Sequence, residues 1–203
     1  MFDLPLGDHA VLRPLEPWQA EEFAAHLDRA REHIAPWVGR SFLATDVAGA
    51  REVLRRYADG QARDDARIYG IWLDGVLVGG TMFVSLDSAR GVCEVGCWLE
   101  PAAEGRGLIT RAITHLIDWA VDVRGIARVE WVTTPDNARS RNVAKRLGMS
   151  LDGVLRQSLP PTVDGVRRDR EIWSVLADEW RTRGERPAVG TVRAPHVTDR
   201  APR

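Results

Sequence analysis

Residues 91–120 read GVCEVGCWLEPAAEGRGLITRAITHLIDWA. The first ten are nearly apolar, with Glu94 as the lone internal charge, and they suit one β-strand. From Leu108 onward, Ile109, Ala112, Ile113, Leu116, Ile117 and Ala120 recur at helical spacing. This is the strongest helical signal in the chain, and Arg124-Gly125 ends it. Between strand and helix lies EGRGLIT, Glu104 to Thr110, a glycine–arginine–glycine turn. It has three readings: an ordinary reversal, a nucleotide-phosphate cradle, or a cradle for another phosphorylated carrier. A Walker A loop is excluded because GK[ST] is absent. A dinucleotide fingerprint needs a third glycine opening the helix and a βαβ start, and neither is present. A bare GxG more often only reverses the chain. The context favours phosphate, because the N–H groups of Arg106, Gly107, Leu108, Ile109 and Thr110 leave a helix N-terminus at the positive end of its dipole. Gly105 and Gly107 permit positive φ and close approach of a ligand.

Working outward, HAVLRPLEP predicts a first strand around Val11 and Leu12. Helical spacing follows from Trp18 to about Val38, and again from Val47 to Ala58. IYGIWLDGVLVGGTMFVSL reads as a hairpin, with Asp74-Gly75 as its two-residue turn. Beyond Gly125, ARVEWVTT is a strand and ARSRNVAKRLG a short helix entered through Asn137. GVLRQSL and RDREIWSVL form a final strand pair around the turn PPTVDG. The order β-α-α-β-β-β-α-β-α-β-β predicts one α/β domain over residues 1–181, with a mixed sheet of about seven strands and helices on both faces. Residues 182–203 carry proline, glycine and charge without periodicity and are expected to form a disordered tail.

The bulk properties narrow the function. At 203 residues, 44% hydrophobic and net charge −1, the chain offers no broad electrostatic reason to bind nucleic acid or an anionic membrane. No apolar run nears the roughly 20 residues of a membrane helix, and the N-terminus lacks a signal-peptide pattern. Cys93 and Cys97 fall on one strand at roughly 13 Å separation, beyond disulfide reach. No second Cys or His pair with zinc-ligand spacing accompanies Cys93 and Cys97, so no metal is expected. A cytoplasmic protein with free thiols is the expectation.

The strand–turn–helix of residues 91–120 resembles the signature region of the GNAT N-acetyltransferase superfamily, whose core motif is [QR]xxGx[GA]. REHIAPWVGR, CEVGCWL, GRGLITRA, NARSRNVAKRLG and REIWSVLADEW look like its RimJ/RimL-type branch, in the family's order, over roughly Ala10 to Trp180. The resemblance implies an acyl-CoA-dependent N-acyltransferase. It would move acetyl, or succinyl in an enlarged pocket, to a protein N-terminal α-amine or a small-molecule amine, without a covalent acyl-enzyme. A homodimer is common in this branch. Two positions depart from the motif: Glu104 stands at [QR] and Ile109 at the final small residue. Arg106, Arg139 or Arg141 would offset the charge of Glu104. A catalytically weak acyl-CoA sensor or interaction module is the alternative that these departures suit.

The resemblance also assigns roles. Glu94 is the expected base for the amine, and Ser140 in NARS the donor to the departing CoA thiolate. The backbone of Cys97, Trp98 and Leu99 would pair with pantetheine where two strands splay, with Gly96 weakening or bulging the strand. Asn137 would contact pantetheine. Glu104, Gly105, Arg106, Gly107, Leu108, Ile109 and Thr110 would hold the pyrophosphate, with Arg139 near the adenosine phosphate. The acceptor groove would lie along Trp18 to Ala66 and the PPTVDG turn. His26 and His33 belong to the helical region forming one wall, and Trp37 is a candidate lining residue. Read from residues alone, Asn137 is equally a helix cap, Ser140 a first-turn residue, and Glu94 an outward carboxylate.

Overall fold

Eight strands form one twisted sheet in the order β1-β2-β3-β4-β5-β6-β8-β7. The computed structural model describes residues 3–161 and 164–183. The strands are β1 (Leu4–Gly7), β2 (Ala10–Pro14), β3 (Arg67–Leu73), β4 (Val76–Asp87), β5 (Val92–Leu99), β6 (Arg128–Thr133), β7 (Ser150–Leu155) and β8 (Arg170–Leu176). Every neighbouring pair is antiparallel except β5–β6, which is parallel. The sequence predicts about seven strands; β1 is the addition. It is a four-residue edge strand containing Pro5, which gives almost no alternation to read.

Among the described residues five helices cover the sheet: α1 (Ala20–Ile34), α2 (Val47–Arg63), α3 (Leu108–Asp118), α4 (Ala138–Arg146) and α5 (Ala177–Arg181). On one face Phe23, Leu27 and Leu54 from α1 and α2 pack on Ile68, Trp72, Met82 and Trp98. On the other, Ile113, Leu116 and Ile117 of α3 and Ala144 of α4 pack on Phe83, Val95, Val129 and Trp131. The β3–β4 turn has Asp74 at φ 49° and Gly75 at φ 81°, the two positive dihedrals a type I′ connection demands. α1 is shorter than the spacing predicts, because Pro17–Gln19 forms a separate 3₁₀ turn. α2 runs five residues longer, to Arg63, where Asp64 caps it in the left-handed region.

The far end of α3 is fastened to α2. A π turn (Trp119–Val123) follows α3, and Arg124 donates to Asp64 Oδ1 at 2.7 Å. Arg67 and Arg124 lie over the Trp119 ring at 5.0 and 5.2 Å. These contacts pin α3 at its C-terminal end, while its N-terminus follows the C-terminal end of β5. Of the expected tail, Thr182 and Arg183 close α5; residues 184–203 lie outside the described residues, as do Thr162 and Val163 of the PPTVDG turn.

Candidate active site

β5 and β6 pair over four rungs only, from Val92↔Arg128 to Val95↔Trp131, and then part. β5 continues to Leu99 on β4 alone. Glu100 N donates to Val78 O at 2.9 Å. By antiparallel alternation the backbone of Trp98 is therefore spent on Gly80, and that of Cys97 and Leu99 faces the opening. This corrects one expectation: Cys97 and Leu99 present free backbone to the gap, and Trp98 does not. Gly96 is not the bulge either; it pairs with Met82, and the irregularity lies in β4 between Phe83 and Ser85, opposite Val95 and Glu94. Gly79 and Gly80 are the glycines the gap region needs: a Cβ at Gly80 would come within 2.2 Å of the Trp98 ring and 2.3 Å of the Tyr69 carbonyl, and one at Gly79 within 2.5 Å of the Trp98 carbonyl. On the β6 side, Thr133 and Thr134 at the end of the strand are buried, and their hydroxyls have no partner among the described residues.

The turn after β5 takes the form its glycines allow. Gly105 has φ 77° and Gly107, the residue before α3, φ 71°. The first α3 bond runs from Arg111 N to Gly107 O at 3.1 Å. The N–H groups of Leu108, Ile109 and Thr110 thus have no intrahelical acceptor. The side chains of Leu108 and Ile109 are buried in the α3 core, so a large residue at the motif's last position points inward, away from the exposed turn. Arg106 is exposed. Thr110 Oγ1 accepts from Arg146 Nε at 3.5 Å.

Glu104 has two partners, of which the sequence did not foretell His33. Its Oε1 lies 2.7 Å from His33 Nε2 at the end of α1, and 3.5 Å from Arg139 Nε on α4. Arg139 does offset the acid, as the sequence suggests. Arg141 does not: it pairs with buried Glu171 at 3.2 Å.

Glu94 stands one residue before the last shared rung, opposite Glu130 of β6. Burial pushes its carboxyl above the usual range; Arg170 pulls it back and Glu130 adds to the rise. Asn137 is the α4 cap, its Oδ1 accepting from Ser140 N at 3.1 Å. Ser140 Oγ in turn accepts from Trp131 Nε1 at 2.9 Å. Ser140 is thereby tied to the last shared rung, while Glu94 stands on the rung before it, on the Trp98 side of the strand. Cys97 is a free thiol that burial pushes up to about 12.

The residues expected along the acceptor wall differ in exposure. His33 is partly exposed beside Glu104, and Trp37 is 37% exposed just past α1. His26 is fully buried: its Nε2 accepts from Trp98 Nε1 at 2.9 Å. Burial, with Arg29 nearby, holds that imidazole down to about 4 against a hydrogen bond to the Leu77 carbonyl, so it is neutral. His26, expected in the groove wall, is instead a core residue, and Trp131 is the side chain sequence reasoning missed, because it looks like an ordinary core residue there. A cavity of about 420 Å³ lined by Asp64, Asp65, Ser85 and Asp87 lies toward the start of β5, where Ser85 pairs with Glu94.

Residues 9–150 match the model of the acetyltransferase (GNAT) domain family. The chain belongs to the GNAT acetyltransferases. This acetyltransferase is 30% identical over 188 residues to YdaF of Bacillus subtilis (strain 168), provisionally named a ribosomal N-acetyltransferase; the match covers 89% of this chain and 98% of that one. It is 26% identical over 126 residues to the ribosomal-protein-serine acetyltransferase of Escherichia coli (strain K12), covering 60% and 70% respectively. Its fold superposes on RimL, a ribosomal L7/L12 α-N-protein acetyltransferase solved with coenzyme A, at TM-score 0.80 and 17% identity, covering 87% of this chain and 99% of RimL.

Proposed function

We propose that this GNAT enzyme transfers an acetyl group from acetyl-CoA to the N-terminal α-amine of a protein, by direct attack of the amine. The observation that carries the reading is the parting of the strands after the Val95↔Trp131 rung, with Ser140 bonded to Trp131 and Glu94 one residue earlier on β5. The residues present suit the carrier. Positive-φ glycines and unsatisfied helix N–H groups suit a pyrophosphate, and the open edge of Cys97 and Leu99 with the orphaned Thr133 and Thr134 hydroxyls suits an amide-bearing arm.

Acetyl-CoA supplies the thioester carbon. Glu94 accepts the proton that the attacking amine sheds, and its raised affinity for that proton suits a base working near neutral pH. Ser140 directs its hydroxyl at the leaving sulfur, while the side-chain amide of Asn137 is left to the pantetheine. A free α-amine, with pKa about 7.7–8.0, needs less of Glu94 than a lysine amine near 10.4. Burial of the Cys97 thiol speaks for direct transfer over an acyl-enzyme at that residue. The sensor alternative loses its footing: Ile109 is absorbed by the core and Glu104 by His33 and Arg139.

The names of the two curated relatives support a ribosomal-protein acceptor. The test is thiol release from acetyl-CoA with peptides copying ribosomal-protein N-termini, beside small amines and succinyl-CoA, and mass-spectrometric location of the acyl group. Acetylation at the peptide α-amine is the expected result. Turnover with small amines alone would overturn the acceptor, and no turnover with any amine would overturn the activity.

A further inference from the structure

Among the described residues five indole N–H groups donate to side chains. Those of Trp72, Trp98, Trp173 and Trp180 go to Glu22, His26, Glu171 and Asp118. The fifth, from Trp131, goes to a neutral hydroxyl, Ser140 Oγ, at 2.9 Å. We propose that Trp131 is a positioning residue for acyl transfer, holding the Ser140 hydroxyl so that its proton faces the departing CoA sulfur. The proposal rests on the reading of Ser140 as donor to that sulfur.

A serine hydroxyl has one proton and two lone pairs. Trp131 occupies a lone pair, which leaves the proton to be given elsewhere and makes the O–H a better donor, because donation into the oxygen polarises it. The two usual competitors are out of play. The Asn137 carbonyl oxygen is taken by the backbone N–H of Ser140. The hydroxyl makes no bond back to a carbonyl of the preceding turn among the described residues, the common habit of a helical serine. Trp131 is itself rigid: it is 2% exposed and sits between Val95 and Trp173 on the last rung before the gap. A core tryptophan that needed only to satisfy its N–H would serve as well with any acceptor. This one reaches the side chain at the site.

The experiment is a double-mutant cycle on the full chain with Trp131→Phe, Ser140→Ala and both together, reading kcat and the KM for acetyl-CoA. Trp131→Phe should lower kcat roughly tenfold, the weight of one hydrogen bond, with KM nearly unchanged. The double variant should be no slower than Ser140→Ala alone. If the two losses multiply, or Trp131→Phe leaves kcat intact, the proposal is overturned while the role of Ser140 stands. If Ser140→Ala leaves kcat intact, that role falls and the proposal with it. Should Trp131→Phe fold poorly, a benzothienylalanine at position 131 keeps the ring and removes only the N–H; the same outcomes then apply.

Discussion

Glu94 combines a functional gain with a stability penalty in one side chain. Burial and Glu130 raise its carboxyl pKa in the folded protein, so between the unfolded value, about 4.3, and the raised one the folded state holds the extra proton. Stability therefore falls as pH rises through that window, and at neutral pH the ionised carboxylate weighs against the fold. Glu94→Gln is expected to lower kcat by about 10²-fold or more, with calorimetric affinity for acetyl-CoA unchanged. The same variant should melt higher than the parent at pH 7, and the difference should vanish toward pH 4. The parent's kcat/KM should fall on the acid side at a pH above the ordinary carboxylate range. A variant that turned over normally would mean another group takes the proton. Gly107 belongs to this scale too. Its φ of 71° is open to Asn but costs a β-branched residue about 1–2 kcal/mol or more. Gly107→Asn should therefore keep most acetyl-CoA affinity and Gly107→Val should lose it, as read by titration calorimetry.

The elements that carry the site were legible because they repeat a strong local pattern. The apolar run of β5, the GRG turn and the i, i+4 stripe of α3 could be read directly, and the Asn137–Ser140 spacing is a local cap whose geometry the structure bears out. What could not be read depends on partners far along the chain. Trp98 meets His26 from 72 residues away and lies over Gly80, a contact invisible in the run VLVGGTMF. β1 failed for a different reason: four residues with a proline on an edge carry no period. The Gly80 contact gives an element-scale prediction. Gly80→Ala places a methyl within 2.2 Å of the Trp98 ring, which must swing off His26 and the aromatic group it forms with Phe23 and Phe42. Overpacking of this kind costs about 1–3 kcal/mol, so chemical denaturation should show a clear loss. Acetyl-CoA affinity should fall as well, because the same displacement moves the open edge of β5.

At the scale of the whole molecule, three distant segments meet at the mouth of the site. His33 ends α1, Glu104 opens the glycine turn and Arg139 begins α4, and the carboxylate of Glu104 ties them together. Two effects of that carboxylate oppose each other. As a surface ion pair it stabilises by about 0–1 kcal/mol, while in the turn proposed here to hold the pyrophosphate it would repel the phosphates beside it. Its partners are exposed enough for salt to screen both effects, and only the second acts on a bound polyanion. Glu104→Gln should thus leave the melting temperature almost unchanged and tighten acetyl-CoA binding by about 1 kcal/mol, near fivefold, at low ionic strength. The gain should shrink as salt is added. Equal affinities at low salt would show that His33 and Arg139 already cancel the charge when the carrier is bound. The acid would then be a strut between the acceptor wall and the phosphate turn, and His33→Ala should loosen carrier binding in its place.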